Sequence, residues 1–170
     1  DHVVTIKELH FDRFNSTPLE TDGALVEYNR GTGQWTITTN NQFPGFAAIM
    51  MGPAMRVGLD KLRIVTQDIG GAFGNKITTH PQLVALCLLA RKLGRAVQWT
   101  EWRTDFHQSM SHGNERWFLD TEVALDKDGV ITAIRSRHID DCGAFTRYEP
   151  LGCVIWSQVL PATYKLRNFH

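Results

Sequence analysis

The chain has 170 residues, of which 42% are hydrophobic and 21% charged, enough for the core of one ordinary domain or part of a larger one. Lys plus Arg and Asp plus Glu number 18 each, without any block of like charge, so neither nucleic acid nor an anionic membrane surface is expected as a main partner. No apolar run approaches the roughly 18–20 residues that cross a bilayer, and no membrane span is expected.

The three cysteines, Cys87, Cys142 and Cys153, form no C-x-x-C pair. Their odd, sparse count does not indicate a disulfide framework. Because an iron–sulfur cluster usually takes four ligands, this chain is not expected to hold one by itself. The chain opens without Met and stops directly after the strand-like run Y-K-L-R-N, so we expect a piece of a longer protein.

The first part of the chain predicts three strands and a short helix. Residues 3–9 are rich in β-branched side chains. Two more such runs, 23–28 and 34–39, flank N-R-G-T-G, whose glycines can take positive φ, and this pattern predicts a hairpin. An apolar helix is predicted at 45–51, ended by Gly52-Pro53.

A further β-rich run at 61–69 leads into G-G-A-F-G-N-K at 70–76, and an apolar helix is predicted at 81–93. Apolar residues surround this helix almost completely, so we expect it to be buried. Thr79 or His80 is expected to cap it. Its N-terminus follows the glycine loop, where the helix dipole would favour an anion.

The remainder of the chain predicts a strand pair and more helix. A buried strand at 96–100 precedes a short helix beginning at 101, and long strands follow at 114–125 and 130–139. Residues 151–160 are predicted as helix or irregular structure. We therefore expect an α+β fold with a mixed or antiparallel sheet and a few packed helices, with residues 1–170 as a single fragment of one domain.

The glycine loop at 70–76 is the strongest candidate binding element. Glycines let a backbone take positive φ and approach another body with its N–H groups turned outward, which suits phosphate, oxo or pyrophosphate groups. The loop is not a P-loop, because Ile77 follows Lys76, and its glycines do not form G-x-G-x-x-G. A glycine-rich turn without a ligand remains the alternative.

Two side chains near this loop each have two interpretations. Phe73 stands between glycines and either pins the loop to the core or lines a ligand pocket. Gln42 follows a predicted strand and precedes a predicted helix. Its amide either bonds to nearby backbone or donates to a ligand.

The other residues that could carry chemistry form few recognisable patterns. The seven histidines form neither H-x-x-x-H nor H-E-x-x-H, so no zinc site is expected. Asp140 and Asp141 are adjacent and would point to opposite faces of a strand, and a solvated turn is the expected interpretation. No G-x-S-x-G nucleophile elbow occurs.

Six sequence elements occur in an order and spacing that cover essentially the whole chain. They are P-L-E at 18–20, N-Q-F-P at 41–44, G-G-A-F-G-N-K at 70–76, R-A-V-Q-W at 95–99, R-T-D at 103–105 and D-C-G-A-F at 141–145. Together they resemble the molybdenum-binding large subunit of the xanthine dehydrogenase and aldehyde oxidase family, whose loop reads G-G-G-F-G-G-K. The resemblance implies a molybdenum-cofactor-binding domain.

What the resemblance implies for chemistry is oxidative hydroxylation of an aldehyde or N-heterocycle carbon with oxygen derived from water. The cofactor would be molybdopterin, a molybdenum pyranopterin that is often a dinucleotide. Electrons would leave through iron–sulfur clusters to FAD on other domains or subunits. The partners implied are the remaining segments of the molybdenum subunit, those redox domains and a small-molecule substrate, in the cytoplasm.

The resemblance also implies residue roles. Gln42 would donate to an oxygen ligand of the metal, and the backbone of Phe73 and Gly74 would reach the metal site. The cofactor-binding residues implied are Gln42, Gly70, Gly71, Ala72, Phe73 and Gly74. The family's general-base Glu lies downstream, so no catalytic residue and no direct metal ligand is expected within this chain.

Departures from the family pattern limit this interpretation. Ala72 and Asn75 replace glycines, which reduces backbone freedom at those positions. Ile77 stands where purine-hydroxylating members commonly have Glu, which weakens a xanthine interpretation. A non-catalytic pterin- or nucleotide-binding module and a purely structural α+β domain remain as alternatives.

Overall fold

The computed structural model describes residues 2–77, 81–109, 113–144 and 151–170. In chain order the elements are β1 (His2–Phe11), β2 (Gly23–Asn29), β3 (Gln34–Thr39), α1 (Pro44–Met55), β4 (Leu62–Val65), α2 (Pro81–Leu93), β5 (Val97–Thr100), α3 (Arg103–Ser109), β6 (Glu115–Leu125), β7 (Ile131–Asp141), α4 (Leu151–Val159) and β8 (Asn168–Phe169). They form two compact units, Asn15–His112 and Asp1–Phe14 with Gly113–His170. Each has a four-stranded sheet, which confirms the predicted α+β class. That residues 1–170 are a single fragment of one domain stays a prediction.

The sheet of the 15–112 unit is built on the predicted hairpin. β2 and β3 pair antiparallel, and Gly33 takes a φ of 68° in the turn between them. β4 pairs parallel to β3 and β5 antiparallel to β2, which gives the order β4-β3-β2-β5. Since side chains alternate along a strand, one face of this sheet can be buried while the other stays open.

The core of this unit lies between that sheet and α1 and α2. Its buried members are Ala24, Val26, Trp35, Ile37, Met51, Leu62, Leu83, Cys87 and Ala90. The indole N–H of Trp35 donates to the carbonyl of Cys87 at 2.9 Å, which ties α2 to the sheet. Burial raises the pKa of the Cys87 thiol to about 12, so this cysteine is an inert core residue.

The other unit contains the two long predicted strands. β1 and β7 flank β6 in antiparallel fashion, and the short β8 adds parallel to β7. Gly129 takes a φ of 79° in the turn between β6 and β7 and donates to the Asp126 carbonyl at 3.1 Å. β6 and β7 confirm the two long strands predicted at 114–125 and 130–139.

Two elements differ in length from the prediction. The strand predicted at 61–69 ends at Val65, which lies opposite Thr38, because its partner β3 ends one residue later. α1 continues through Pro53 to Met55 instead of ending before it. Gly52 has no Cβ to meet the proline ring, so the Gly-Pro pair is accommodated inside the helix.

α2 and β5 are less buried than predicted. β5 is an edge strand whose side chains are alternately half-buried and exposed. α2 buries one side only, and its exposed leucines are Leu88, Leu89 and Leu93. The predicted caps Thr79 and His80 lie outside the described residues. Among the described residues, no helix is both long and apolar enough to cross a membrane.

The prediction of a solvated turn at Asp140 is wrong. β7 extends to Asp141, and the Asp140 side chain is only 4% exposed, with the Arg116 guanidinium 3.5 Å away. Asp141 is 52% exposed and lies 3.6 Å from Arg13. The two neighbours thus differ in burial as adjacent strand residues on opposite faces do.

Candidate functional site

The glycine loop of the 15–112 unit adopts the unusual backbone that its sequence allows. Gly71, Phe73 and Gly74 have φ values of 90°, 49° and 86°. The Asn75 N–H donates to the Ala72 carbonyl at 3.0 Å, so Phe73 and Gly74 are the central residues of a tight turn. Positive φ at both central positions is the requirement of a type I′ turn. Ala72 and Asn75, which replace family glycines, do not have positive φ, so neither replacement strains the loop.

Phe73 is held in a conformation that large side chains avoid. A left-handed backbone costs a residue with a Cβ about 1–2 kcal/mol. The ring is 71% exposed, so it does not pin the loop to the core of the described residues. Strain of this kind is retained where surrounding structure imposes it, and it concentrates at binding sites.

The loop also presents a run of free backbone donors. Among the hydrogen bonds of the described residues, none is donated by the N–H groups of residues 71–74. Consecutive N–H groups in a turn of mixed φ sign form a concave site for an anion or an oxygen ligand. The residues are exposed or half-buried, so a ligand can reach them.

Gln42 lies beside this loop, in the short segment between β3 and α1. Its backbone N–H donates to the Lys76 carbonyl at 3.0 Å, which joins Gln42 to the loop's last residue. The Asn41 carboxamide oxygen accepts the Phe43 N–H at 2.8 Å, and the Asn41 carbonyl accepts the Thr66 hydroxyl at 3.0 Å. The Gln42 side chain is exposed, and it has no hydrogen bond to another described residue. Its amide is therefore available to a ligand.

Sequence reasoning missed the group beneath the loop. One carboxylate oxygen of Glu20 accepts the Gly70 N–H at 2.9 Å and the Lys76 ammonium at 2.8 Å. The Lys76 side chain is fully buried, whereas that of Glu20 is 42% exposed. The hydrogen bond from Lys76 is the main cause that lowers the pKa of Glu20 to about 2, with smaller contributions from the Asn40 side chain and the Gly70 N–H.

The segment that carries Glu20 is itself anchored. The Arg103 guanidinium donates to the Pro18 and Leu19 carbonyls at 2.7 Å each. The Asn75 amide, in the loop, donates to the Ser16 carbonyl at 2.6 Å. P-L-E and R-T-D were both visible as sequence elements, but their separation along the chain gave no signal that they meet at the loop.

A cleft of about 360 Å³ lies next to this group in the same unit. Its lining is made of Glu20–Leu25, Thr38–Asn40, Gln67, Asp68 and Gln98–Thr100. Glu20 therefore both lines the cleft and contacts the glycine loop, and Gln67 and Asp68, which also line the cleft, precede the loop in the chain.

A second cluster of possible ligands lies in the other unit. The pairing of β1 with β6 brings His10 to Glu115, with 2.9 Å between Nε2 and Oε1, and Asp12 is 3.8 Å from the same nitrogen. The Asp12 side chain is 93% exposed. Such exposed groups usually form weak ion pairs, so we interpret this cluster as surface structure.

The sequence matches a family that is named for a cofactor of the kind that this loop could hold. The family model described as "Molybdopterin cofactor-binding domain" matches residues 1–170. The carbon monoxide dehydrogenase large chain of Hydrogenophaga pseudoflava is 30% identical over 143 residues, which cover 84% of this chain and 18% of that protein. The nicotine 6-hydroxylase large subunit of Paenarthrobacter nicotinovorans is 28% identical, with 85% of this chain and 18% of that protein covered.

Solved structures resemble the whole chain. Quinoline 2-oxidoreductase from Pseudomonas putida 86 matches with a TM-score of 0.81 and 29% identity, over 99% of this chain and 22% of that one. Aldehyde oxidoreductase from Desulfovibrio gigas matches with a TM-score of 0.83 at 22% identity, which supports the fold alone. The chain thus spans less than a quarter of the length of these relatives.

Proposed function

Because the chain belongs to the molybdopterin cofactor-binding domain family, we propose that it is part of a molybdenum hydroxylase. The enzyme would oxidatively hydroxylate an aldehyde or N-heterocycle carbon with oxygen derived from water. Relatives named for nicotine and quinoline oxidation support the N-heterocycle class, and a fold shared with an aldehyde oxidoreductase is compatible with the aldehyde class. Ile77 does not favour a purine substrate.

The observation that carries this proposal is the run of free N–H groups at 71–74 beside the exposed amide of Gln42. Cofactor contact is assigned to Gln42, Gly70, Gly71, Ala72, Phe73 and Gly74. These residues fit an oxygen-rich group, because the N–H groups of residues 71–74 donate no hydrogen bond to another described residue and these residues are exposed or half-buried. The exposed, strained Phe73 also fits a loop that closes on a ligand.

When bound, the molybdopterin supplies the two-electron oxidation of the substrate carbon. The chain's own contribution is to bind and orient. The N–H groups of residues 71–74 donate to oxygen atoms of the group, and such fixed donors stabilise negative charge without reorganising. Gln42 adds a side-chain donor, and the Phe73 ring excludes water from that side.

The rest of the proposed enzyme lies outside this chain. A downstream Glu acts as the general base, and iron–sulfur clusters and FAD on other domains or subunits receive the electrons. The cofactor is proposed as molybdopterin, either as the pyranopterin itself or as its dinucleotide, and the enzyme as cytoplasmic. This chain alone is proposed to be inactive.

The test is molybdenum content. The intact protein that carries this chain should contain close to one molybdenum per polypeptide by elemental analysis and release a fluorescent pterin after oxidation. Pterin without molybdenum or redox activity would favour a non-catalytic binding module. Neither molybdenum nor pterin would favour a purely structural domain.

A further inference from the structure

We infer that Glu20 is a positioning residue for the proposed cofactor site. Its carboxylate holds both ends of the 70–76 loop and thereby sets where Gln42 and the free N–H groups stand. This inference rests on the proposed function. The segment Ser16–Glu20 is called the brace below.

A single oxygen atom makes the central contact of the brace. Glu20 Oε2 accepts from the Gly70 N–H and from Lys76 Nζ, and the Glu20 N–H donates back to the Gly70 carbonyl at 3.2 Å. Gly70 immediately precedes residues 71–74, and Lys76 comes two residues after them. The carboxylate therefore clamps the loop on both sides of its free donors.

The loop is seated directly on the brace, with no room between them. A Cβ placed on Gly70 would lie 2.7 Å from the Glu20 Cβ, and one on Gly71 would lie 3.3 Å from the Pro18 Cβ. Contact this close transmits a displacement of the brace to the loop backbone.

The brace has its own fixed points. Arg103 holds the Pro18 and Leu19 carbonyls, and Asn75 holds the Ser16 carbonyl. These contacts use backbone carbonyls of the brace, so they do not compete with Lys76, Asn40 and the Gly70 N–H for the Glu20 carboxylate.

The same contact reaches Gln42. The Lys76 carbonyl accepts the Gln42 N–H, and the buried Lys76 ammonium is fixed by Glu20. A movement of Lys76 would shift Gln42 relative to residues 71–74. The one carboxylate thus aligns the two groups of donors assigned to the cofactor, as partners of metal ligands do elsewhere.

The experiment separates positioning from stability. In the intact protein, Glu20→Leu combined with Lys76→Met replaces the ion pair by apolar side chains, a change that often leaves stability unaltered. Glu20→Gln keeps the side-chain shape and an acceptor oxygen, and it serves if the double variant does not fold. Glu27→Gln, at an exposed position on β2, is the matched control.

Two measurements are made on each variant: the thermal unfolding midpoint and the rate at which molybdenum is lost during dialysis. We expect an unfolding midpoint close to that of the unchanged protein for the double variant and a lower one for Glu20→Gln, because the buried Lys76 ammonium then faces a neutral amide. Molybdenum should be lost about 10- to 100-fold faster from both Glu20 variants. Glu27→Gln should lose it at the original rate. Loss at the original rate from the Glu20 variants would overturn the positioning role alone, whereas absence of molybdenum from the unchanged protein would overturn the proposed function as well.

Discussion

Gly70→Ala is the most direct perturbation of the close contact between the 70–76 loop and the brace. The added Cβ would meet the Glu20 Cβ at 2.7 Å, closer than real Cβ atoms approach, and that atom is attached to backbone held by Arg103. Gly70 does not have positive φ, so the effect would come from crowding rather than from backbone strain. Overpacking of this kind costs about 1–3 kcal/mol.

The assay is amide hydrogen exchange in the intact protein, read from peptides that cover residues 66–77. A loss of about 1–3 kcal/mol corresponds to exchange roughly 5- to 150-fold faster where local opening governs it. Gly45→Ala in α1 is the control, because a Cβ there meets nothing within 4 Å. If Gly70→Ala exchanged no faster than Gly45→Ala, the close seat of the loop on Glu20 would be refuted.

Three further predictions test the same region. The pKa of Glu20 is lowered from 4.5 to about 2, so its stabilisation should be complete above pH 4.5 and disappear as pH falls towards 2. After correction for the pH dependence of intrinsic exchange, the protection of the amides of residues 66–77 should therefore fall across that window, and a Glu20→Gln protein that shows the same pH profile would contradict the assignment. Glu20→Leu alone should lower the free energy of unfolding by about 3–5 kcal/mol, because it leaves the buried Lys76 ammonium unpaired. Lys76→Met should lower it less, because Glu20 is 42% exposed and can be hydrated. Urea unfolding measures both variants, and the opposite order would contradict this reasoning. Gln42→Ala should slow turnover about 10²-fold with an unchanged unfolding midpoint. The control is Gln158→Ala, at an exposed position on α4. Equal turnover in the two variants would show that Gln42 is not part of the site.

Local chemistry accounts for the features that were predicted correctly. The turn between β2 and β3 needs only Gly33 at positive φ, and the turn before β7 needs only Gly129. Both requirements are written in a few consecutive residues. The same holds for the glycine loop, whose left-handed positions include Gly71 and Gly74.

What was missed depends on residues far apart in the chain. Glu20 and Lys76 are 56 residues apart, and no local pattern marks their pairing. Asp140 looked like a turn residue because nothing nearby shows that Arg116 would meet it. The end of β4 follows the end of its partner β3, which is a property of the sheet rather than of the strand's own sequence.

The burial of Lys76 also has a consequence for amine chemistry. Reagents that acylate lysine act on the uncharged amine and need room around it, so Lys61, whose side chain is 44% exposed, should be modified readily. Lys76, with no exposed side-chain surface and its ammonium hydrogen-bonded to a carboxylate, should be among the slowest lysines to react. The rate at which the Lys76 amine is labelled therefore reports how often the 70–76 loop separates from Glu20.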